Sequence, residues 1–203
     1  MKVSEFTFDS STAHNKIFTR LYEPDDEPKA VLQISHGMAE HSALYKPFCE
    51  YMAQRGFVVV INDHLGHGRS VTSGALYGHF GEKGGLYNVV EDQRNLQSIM
   101  REKYPELPYF LMGHSMGSFL LRTYLYTYPD AVDKAVISGT GWEDPMKVRM
   151  GKLVCKLEEA RIGEKNTSAL VTKLMFGSYN RAFGPVTSPN AWICSDDAVV
   201  AAY

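Results

Sequence analysis

The fold of this chain is decided by one stretch, residues 109–128, with the sequence YFLMGHSMGSFLLRTYLYTY. Its first four residues, Tyr109–Met112, form a short apolar run that is typical of a buried strand. The part from about Met116 to Tyr128 is apolar on nearly every side, as in a helix packed on a sheet. A G-x-S-x-G motif joins the two. The stretch therefore predicts a strand, a sharp turn and a helix.

The turn carries the chemistry. Gly113 and Gly117 flank it because a turn this tight leaves no room for side chains there. After His114, the hydroxyl of Ser115 is expected to project at the carboxyl edge of the sheet, where open α/β sheets bind ligands. The helix that follows presents free N–H groups, Met116 first among them, to a developing negative charge. We interpret the motif as a nucleophile elbow with Ser115 as nucleophile; the alternative is a tight helix entry with an inert serine.

The rest of the first 138 residues predicts an α/β fold. Val3–Phe8 and Lys16–Tyr22 are separated by turn-forming residues, and the second alternates as a half-buried strand does, which indicates an antiparallel hairpin. After it, short continuous apolar runs alternate with helical patterns, the arrangement of a doubly wound, mostly parallel sheet. The predicted strands are Ala30–Ser35, Phe57–Asn62, Tyr109–Met112 and Ala135–Ser138, and the predicted helices are about Ala43–Arg55, Leu86–Tyr104 and Met116–Tyr128.

From about Gly139 the alternation stops. Asp144-Pro145 is a good helix start, with Asp as the N-cap and Pro at the first helical position. Two amphipathic helices are expected to follow, and no strand pattern returns before the end of the sequence. We therefore predict two parts, a core at 1–138 and a helical insert at 139–203 that lies on the sheet as a cap.

A second loop, residues 36–41, follows the predicted strand Ala30–Ser35 and has the sequence HGMAEH. Acyl transfer needs two N–H donors for the tetrahedral oxyanion, and one normally comes from the loop after this strand. After His36 and Gly37, the backbone of Met38 occupies that position. For the His36 and His41 imidazoles we favour hydrogen bonding within the loop.

The third loop, DHLGHGRS at residues 63–70, follows the predicted strand Phe57–Asn62. His64 and His67 beside Asp63 resemble a pair of metal ligands, but they lie in a glycine-rich turn without a third ligand at a suitable spacing. A loop held by its own side-chain hydrogen bonds is the better explanation. We predict no metal site and assign Asp63 a supporting role.

Composition sets the broad class. Of the 203 residues 44% are hydrophobic and 22% charged, as in an ordinary globular protein, and the formal net charge of −2 gives no argument for nucleic-acid binding. No apolar run is long enough to span a bilayer, and the N-terminus lacks the apolar segment of a secretory signal. Three cysteines at irregular spacing, Cys49, Cys155 and Cys194, suggest free thiols in a reducing compartment, and we expect a cytoplasmic protein.

Three motifs occur in the order and spacing of α/β-hydrolases: HGMAEHS, DHLGHGRS and GHSMGS. Together they resemble the motifs of the monoacylglycerol lipase and lysophospholipase branch of that superfamily. The resemblance covers residues 1–140 well and extends weakly to 192–196, similar to the segment by which the family's cap returns toward the sheet. It implies Ser115 as nucleophile, an oxyanion hole from the N–H groups of Met38 and Met116, and no metal or organic cofactor. The implied substrates are monoglyceride-like or lysophospholipid-like esters.

The other half of the catalytic machinery is missing from the sequence. In α/β-hydrolases the triad follows the chain order Ser, then Asp or Glu, then His. The seven histidines all precede or adjoin Ser115, and the acidic residues after it lie outside any further predicted strand. The histidines are His14, His36, His41, His64, His67, His79 and His114, and the acidic candidates are Asp130, Asp133, Glu143, Asp144, Asp196 and Asp197.

Three explanations stay open. The favoured one is that the sequence stops at Tyr203 inside or just after the cap, so that the last core strands, the Asp and the His are absent; this fold with a cap usually needs about 250 residues or more. Alternatively, His36, His41 or His64 serves as base in a rearranged triad. The third is a non-catalytic protein that kept the elbow as a lipid-binding pocket. If the first explanation is correct, the 203-residue chain by itself should be inactive.

Other substrates and partners also stay open. A short-chain carboxylesterase or thioesterase is the nearest alternative enzyme. The expected partner is a small lipid ester, with no nucleic acid and at most a transient contact with a membrane surface.

Overall fold

The computed structural model describes residues 1–12, 15–71 and 77–202. The chain divides into two compact units, Met1–Trp142 and Glu143–Tyr203. The division falls four residues after the predicted boundary at 138/139. That residues 139–203 form a cap stays a prediction.

The first unit is built on a six-stranded sheet in the order β1-β2-β4-β3-β5-β6. Its strands are β1 (Lys2–Asp9), β2 (Lys16–Glu23), β3 (Ala30–Ser35), β4 (Phe57–Asn62), β5 (Tyr109–His114) and β6 (Lys134–Ser138). The β1–β2 and β2–β4 pairs are antiparallel, whereas β4, β3, β5 and β6 are parallel to their neighbours. This confirms the predicted hairpin and the predicted mostly parallel sheet.

Helices cover both faces of this sheet. They are α1 (Lys46–Ala53), α2 (Leu86–Lys103) and α3 (Met116–Thr127). Along β4, Val58 and Val60 pack in the cluster with α2 and α3, whereas Val59 and Ile61 pack in the cluster with Cys49 of α1. Because both faces are covered, neighbouring residues of β4 are equally buried, and the strand is apolar from Phe57 to Ile61. The fold is therefore the doubly wound α/β arrangement that the sequence predicts.

One helix differs from its predicted bounds. We expected a helix from about Ala43 to Arg55, but residues Ser42–Tyr45 form a 3₁₀ turn and α1 begins only at Lys46. The second residue of α1 is Pro47. Proline lacks an N–H and is tolerated only in the first turn of an α-helix, so the helix starts next to it.

The outer edge of the sheet is β6. It pairs with β5 on one side, and the described residues place no strand on its other side. Val136 and Ile137 point to opposite faces of the sheet, and they are 49% and 44% exposed. Both faces of β6 are thus partly open to solvent.

The second unit contains helices only among its described residues. They are α4 (Pro145–Ile162), α5 (Ala169–Phe176) and the short α6 (Asp197–Ala202), with a 3₁₀ turn at Tyr179–Phe183. The predicted N-cap residue of α4 is confirmed, because the Asp144 carboxylate accepts the Met146 N–H at 2.8 Å. The Trp192 ring packs against the rings of Phe176 and Tyr179. No helix in the described part of the chain is long and apolar enough to cross a membrane.

One carboxylate ties α4 to α5. Glu158 accepts two hydrogen bonds from Arg161, at 2.8 and 2.9 Å, and a third from the Ser168 hydroxyl at 2.5 Å. These partners, Arg161 first, lower the Glu158 pKa to about 2. Ser168 is also the N-cap of α5 and accepts the Val171 N–H. The end of one helix and the start of the next are therefore held by one charged group.

Candidate active site

Three loops leave the sheet side by side at one edge. In the central parallel strands Ile34 of β3 pairs with Ile61 of β4 and with Met112 of β5. The loops that begin after these strands therefore start at neighbouring points on the carboxyl edge. The sheet thus brings together the three motifs that the sequence singles out, although His36 and Ser115 are 79 positions apart in the sequence.

Ser115 stands on a strained turn. Its backbone has φ +51° and ψ −118°, in the left-handed half of conformational space that residues other than glycine rarely adopt. A side chain on Gly113 would place its Cβ 2.3 Å from the Gly117 carbonyl oxygen. A Cβ on Gly117 would lie 2.0 Å from the carbonyl oxygen of Ser35 on β3. The surrounding backbone therefore enforces the strain at Ser115 and permits only glycine at the two flanking positions.

The backbone of Ser115 is fixed while its hydroxyl is not. Its N–H donates to the Ser138 carbonyl at 3.0 Å, and its own carbonyl accepts from the N–H and the hydroxyl of Ser118 at 2.9 and 2.6 Å. The half-buried Ser115 hydroxyl forms no hydrogen bond with the described residues. Met116 is the first residue of α3, so its N–H has no partner within the helix. The turn therefore presents a free hydroxyl next to a free donor.

The loop after β3 is held by a residue that sequence reasoning missed. One carboxylate oxygen of Glu40 accepts the Gly37 N–H and the Tyr45 hydroxyl, each at 2.7 Å. Ala39 completes the turn in the left-handed region, at φ +57°. The Met38 N–H donates to no acceptor among the residues that the structure describes. The available signal was the spacing, since a carboxylate three residues after a glycine in a turn is placed to accept its N–H.

Two histidines are committed to structure on both ring nitrogens. Nδ1–H of His36 donates to the Gly37 carbonyl at 2.7 Å, and its Nε2 accepts the His64 N–H at 2.9 Å. Nε2 of His64 lies 3.1 Å from the Ser35 hydroxyl and 3.2 Å from the His36 carbonyl. Because the carbonyl can only accept, we place the proton of His64 on this nitrogen. The other nitrogen of His64 faces the Asn62 amide at 3.4 Å. Neither ring has a nitrogen left to take a proton from Ser115.

Burial sets the charge of these rings. The His36 and His64 rings pack with centroids 4.0 Å apart, inside the protein. Burial lowers the pKa of His36 to about 4, and it lowers the pKa of His64 well below its usual value. Both are neutral at pH 7. This arrangement does not favour the rearranged triad through His36 or His64.

Among the described histidines, His67 and His114 also have other hydrogen-bond partners. His14 lies outside the described residues. The His67 Nδ1–H donates to the Leu65 carbonyl at 3.2 Å, and His114 turns its Nδ1 to the Ser138 hydroxyl at 3.3 Å, on β6. The His41 ring, which is half-buried, forms no hydrogen bond with any described residue. Of the three histidines proposed as bases, His36 and His64 are therefore engaged in hydrogen bonds and His41 is not.

The Asp63 carboxylate connects the loop after β3 to the loop after β4. One of its carboxylate oxygens accepts the Ser42 N–H at 2.7 Å, and the other accepts the Arg69 N–H at 2.8 Å. Gly68 is at φ +47°, and a Cβ there would lie 2.3 Å from the Asp63 carboxylate. The carboxylate is thus engaged by backbone donors of both loops. Across residues 1–12, 15–71 and 77–202, no three His, Cys, Asp or Glu side chains are grouped so that they could hold a metal ion.

Three of the six acidic candidates accept other hydrogen bonds. Asp133 accepts the Tyr109 N–H at 2.7 Å and a hydrogen bond from Arg101, which together keep its pKa low. Because Tyr109 begins β5, Asp133 lies at the opposite end of that strand from Ser115, about 15–20 Å away. Asp144 caps α4, and the Asp196 carboxylate accepts the Ala198 N–H at the start of α6.

The chain is similar to known hydrolases. A family model described as serine aminopeptidase, S33, matches residues 26–203. A monoacylglycerol lipase of Mycolicibacterium smegmatis is 33% identical over 147 residues, which is 70% of this chain and 50% of that protein. Human monoglyceride lipase is 35% identical over 101 residues, covering 50% of this chain and 31% of the human one. The chain therefore spans half or less of the length of these curated relatives.

A solved structure extends the similarity. A highly thermostable carboxyl esterase from Bacillus coagulans, crystallised in complex with glycerol, is 31% identical with a TM-score of 0.88. The match covers 99% of this chain and 64% of that one.

The tight turn around Ser115 gives a first prediction. Gly117→Ala should lower the free energy of unfolding by about 3 kcal/mol or more, because the new Cβ meets the β3 backbone, which cannot give way. The matched control is Gly151→Ala inside α4, where a Cβ would meet nothing within 4 Å. That change should raise the stability of the second unit by up to about 1 kcal/mol, because alanine is the better helix former. Urea unfolding followed by circular dichroism measures both, and equal effects would contradict the packing argument.

The buried histidines give a second prediction. His36 has an ordinary pKa of about 6.5 when unfolded and about 4 when folded, so below pH 6.5 the unfolded chain binds the extra proton. The free energy of unfolding should therefore be retained above pH 6.5 and fall by about 1.4 kcal/mol per pH unit between pH 6.5 and 4 from this group.

The variant His36→Asn isolates that contribution, because asparagine keeps a donor and an acceptor but does not titrate. Urea unfolding should show the wild-type chain as the more stable at about pH 7.5. The difference should narrow by about 2 kcal/mol at about pH 5. A difference that does not change with pH would show that His36 is not the titrating group.

Proposed function

The chain belongs to the serine aminopeptidase S33 family of α/β-hydrolases, and on that basis we propose that Ser115 is the nucleophile of a hydrolase that cleaves lipid-like carboxylic esters. The observation that carries the proposal is the elbow: Ser115 is held at φ +51° with a free hydroxyl, beside the free N–H that begins α3. The proposed substrates are monoacylglycerols or lysophospholipids. Two relatives named as monoacylglycerol or monoglyceride lipases support this substrate class.

The proposed reaction is acyl transfer through a covalent intermediate. The Ser115 oxygen attacks the ester carbonyl carbon while a base removes the hydroxyl proton. The N–H groups of Met38 and Met116 stabilise the oxyanion that forms. Collapse of this intermediate breaks the ester C–O bond, and the alcohol leaves with the proton. Water then attacks the acyl-serine in the same way and releases the fatty acid, so the reaction uses neither a metal nor an organic cofactor.

The loops after β3 and β4 are positioning elements in this proposal. The Glu40 carboxylate accepts the hydrogen bond of the Gly37 N–H, and the next backbone donor, the Met38 N–H, stays free for the oxyanion. His36 holds the start of that loop, and Asp63 holds its end at Ser42, to the loop after β4. Preorganised donors contribute strongly because they do not have to reorient during the reaction.

The base and its carboxylate partner are not assigned to residues of this chain. No histidine follows Ser115 in the sequence. Loss of the triad partners typically removes about 10⁴-fold of rate, so we propose that the 203-residue chain by itself has little or no turnover. A non-catalytic protein that binds lipid at the elbow is the corresponding alternative.

Residues 139–203 are proposed to be the cap insert of this enzyme. In support, the described part of the second unit contains helices and no strand, and it exposes many large apolar side chains, Leu153, Leu157 and Leu174 among them. We also propose a cytoplasmic location, since Cys49, Cys155 and Cys194 are all free thiols.

A short-chain carboxylesterase is the second candidate. The specific observation in its favour is the TM-score of 0.88 to a carboxyl esterase, over nearly the whole of this chain. The two candidates share the nucleophile and differ in the acyl chain that the site accepts.

The nucleophile is tested by covalent labelling. In the gene product that contains this chain, a fluorophosphonate should label the peptide that carries Ser115, as identified by mass spectrometry. Ser115→Ala should abolish the labelling, and Ser98→Ala, at an exposed serine of α2, should leave it unchanged. The isolated 203-residue chain should react at least about 10⁴-fold more slowly. Labelling at a different residue, or none in the full gene product, would refute the assignment.

Acyl selectivity separates the two candidate substrates. With a series of p-nitrophenyl esters, a lipid ester hydrolase should show kcat/KM at least about tenfold higher for laurate than for butyrate, because each buried CH₂ contributes about 0.8 kcal/mol. The Ser115→Ala variant supplies the background rate. A maximum at acetate or butyrate would instead favour the short-chain carboxylesterase.

A further inference from the structure

Helix α2 carries a buried polar side chain in the middle of an apolar interface. Gln93 is completely buried, and its neighbours Val89, Val90 and Leu96 on the same helix belong to the apolar cluster that packs against the sheet. Burying an amide costs free energy unless its polar atoms form hydrogen bonds. The partners of Gln93 therefore show what this side chain does in the interface.

Gln93 is bonded to strand β3 at two points. Its side-chain amide donates to the Ser35 hydroxyl at 2.6 Å, and its backbone carbonyl accepts from the Gln33 side chain at 3.1 Å. Gln33 accepts in turn from the Tyr109 hydroxyl of β5. All four residues are at most 1% exposed. A buried chain of hydrogen bonds thus connects α2 to the two central strands.

This chain fixes how α2 lies along β3. Gln33 and Ser35 are two positions apart, so their side chains point to the same face of the strand. Apolar contacts are non-directional, whereas a hydrogen bond requires a defined distance and angle. Two such bonds to one face of β3 therefore hold the end of the strand at a single position relative to the helix.

Ser35 is the point at which the three sequence motifs meet. It is the last residue of β3 and directly precedes the loop that begins at His36. Its hydroxyl lies 3.1 Å from Nε2 of His64, in the loop after β4. Its carbonyl oxygen faces Gly117, where a Cβ would lie 2.0 Å away. A displacement of Ser35 would therefore move both loops and the elbow.

The two N–H groups proposed for the oxyanion hole depend on the same residue. Met38 follows Ser35 by three positions, and Met116 directly precedes Gly117, which packs on the Ser35 carbonyl. In a preorganised site a displacement of about 1 Å can cost about 100-fold in rate. The position of Ser35 can therefore control the rate although Ser35 contacts no reacting atom.

We propose that Gln93 is a positioning residue of the hydrolase: its hydrogen bond to Ser35 fixes the end of β3 and thereby places the N–H groups of Met38 and Met116 around the oxyanion. The inference rests on the proposed function. It goes beyond that function because Gln93 lies in none of the three motifs.

The first test replaces Gln93 in the gene product that contains this chain. Gln93→Met keeps the length of the side chain and removes the donor to Ser35. The kcat for p-nitrophenyl laurate should fall about tenfold or more, whereas KM should change less than about twofold, because Gln93 does not contact the substrate.

The matched control is Gln97→Met, one turn further along α2. Gln97 is also buried, but its side chain donates to the Ala131 carbonyl, which precedes β6 at the edge of the sheet opposite to Ser115. This variant should lose a comparable amount of stability in urea unfolding. Its kcat should stay within about twofold of wild type, because Gln97 does not bond to β3.

A double variant separates positioning from stability. Ser35→Ala alone should lower the free energy of unfolding, because it leaves the Gln93 amide buried without its acceptor. Adding Gln93→Met should restore most of that loss, because removing both partners of a buried hydrogen bond costs much less than removing one. The kcat of the double variant should nevertheless stay about tenfold or more below wild type, since the alignment of β3 is still lost.

A second readout does not require turnover. In ¹H–¹⁵N spectra the amide signals of Met38 and Met116 should shift in Gln93→Met and stay unchanged in Gln97→Met. Unchanged Met38 and Met116 signals in Gln93→Met overturn the positioning role, even if the fluorophosphonate does not label Ser115 and the hydrolase proposal fails. The role is also overturned if the two glutamine variants lower kcat equally, or if the double variant regains kcat together with stability.

Discussion

The first unit depends on how closely helix α3 approaches strand β3. At Gly117 the helix touches the backbone of Ser35, and a Cβ there would lie 2.0 Å from the Ser35 carbonyl oxygen. This contact fixes the direction of α3 as it leaves β5. It therefore also fixes Ser115, the one residue between strand and helix, in a conformation that it would not adopt alone. The strain at the serine is a consequence of backbone packing.

Around this contact the loops are held by side chains that accept backbone hydrogen bonds. Glu40 accepts the N–H of Gly37, Asp63 accepts those of Ser42 and Arg69, and His36 accepts that of His64. Each of these bonds satisfies a donor that the irregular loop backbone would otherwise leave unpaired. Because the acceptors belong to the loops themselves, these hydrogen bonds form without any ligand. A site organised in this way requires little rearrangement when a substrate binds.

Much of this structure could be predicted from local patterns. The strands β3 and β4 have the predicted bounds because each is a short, mainly apolar run, and the elbow was visible because two glycines and a serine stand between a strand and a helix. The hydrogen bond between His36 and His64 could not be predicted, since it exists only because parallel strands bring separate loops together. The bond from Gly37 to Glu40 is local, and its three-residue spacing was the signal that sequence reasoning missed. The start of α1 depends on Pro47, whose influence on the helix start the apolar periodicity did not show. The base that Ser115 needs could not be assigned from the sequence, and the structure does not assign it.

The open edge of the sheet has a consequence for how this chain behaves in solution. Among the described residues, strand β6 has unpaired backbone donors and acceptors along one side. Its exposed Val136 and Ile137 add apolar surface on both faces of the strand, so this edge favours pairing with another strand. A second β-strand, including β6 of another copy, can therefore pair with this edge and extend the sheet. Such pairing would also remove the exposed Val136 and Ile137 side chains from water. The chain can therefore associate through the five residues Lys134–Ser138, by backbone pairing, as well as through its exposed apolar side chains.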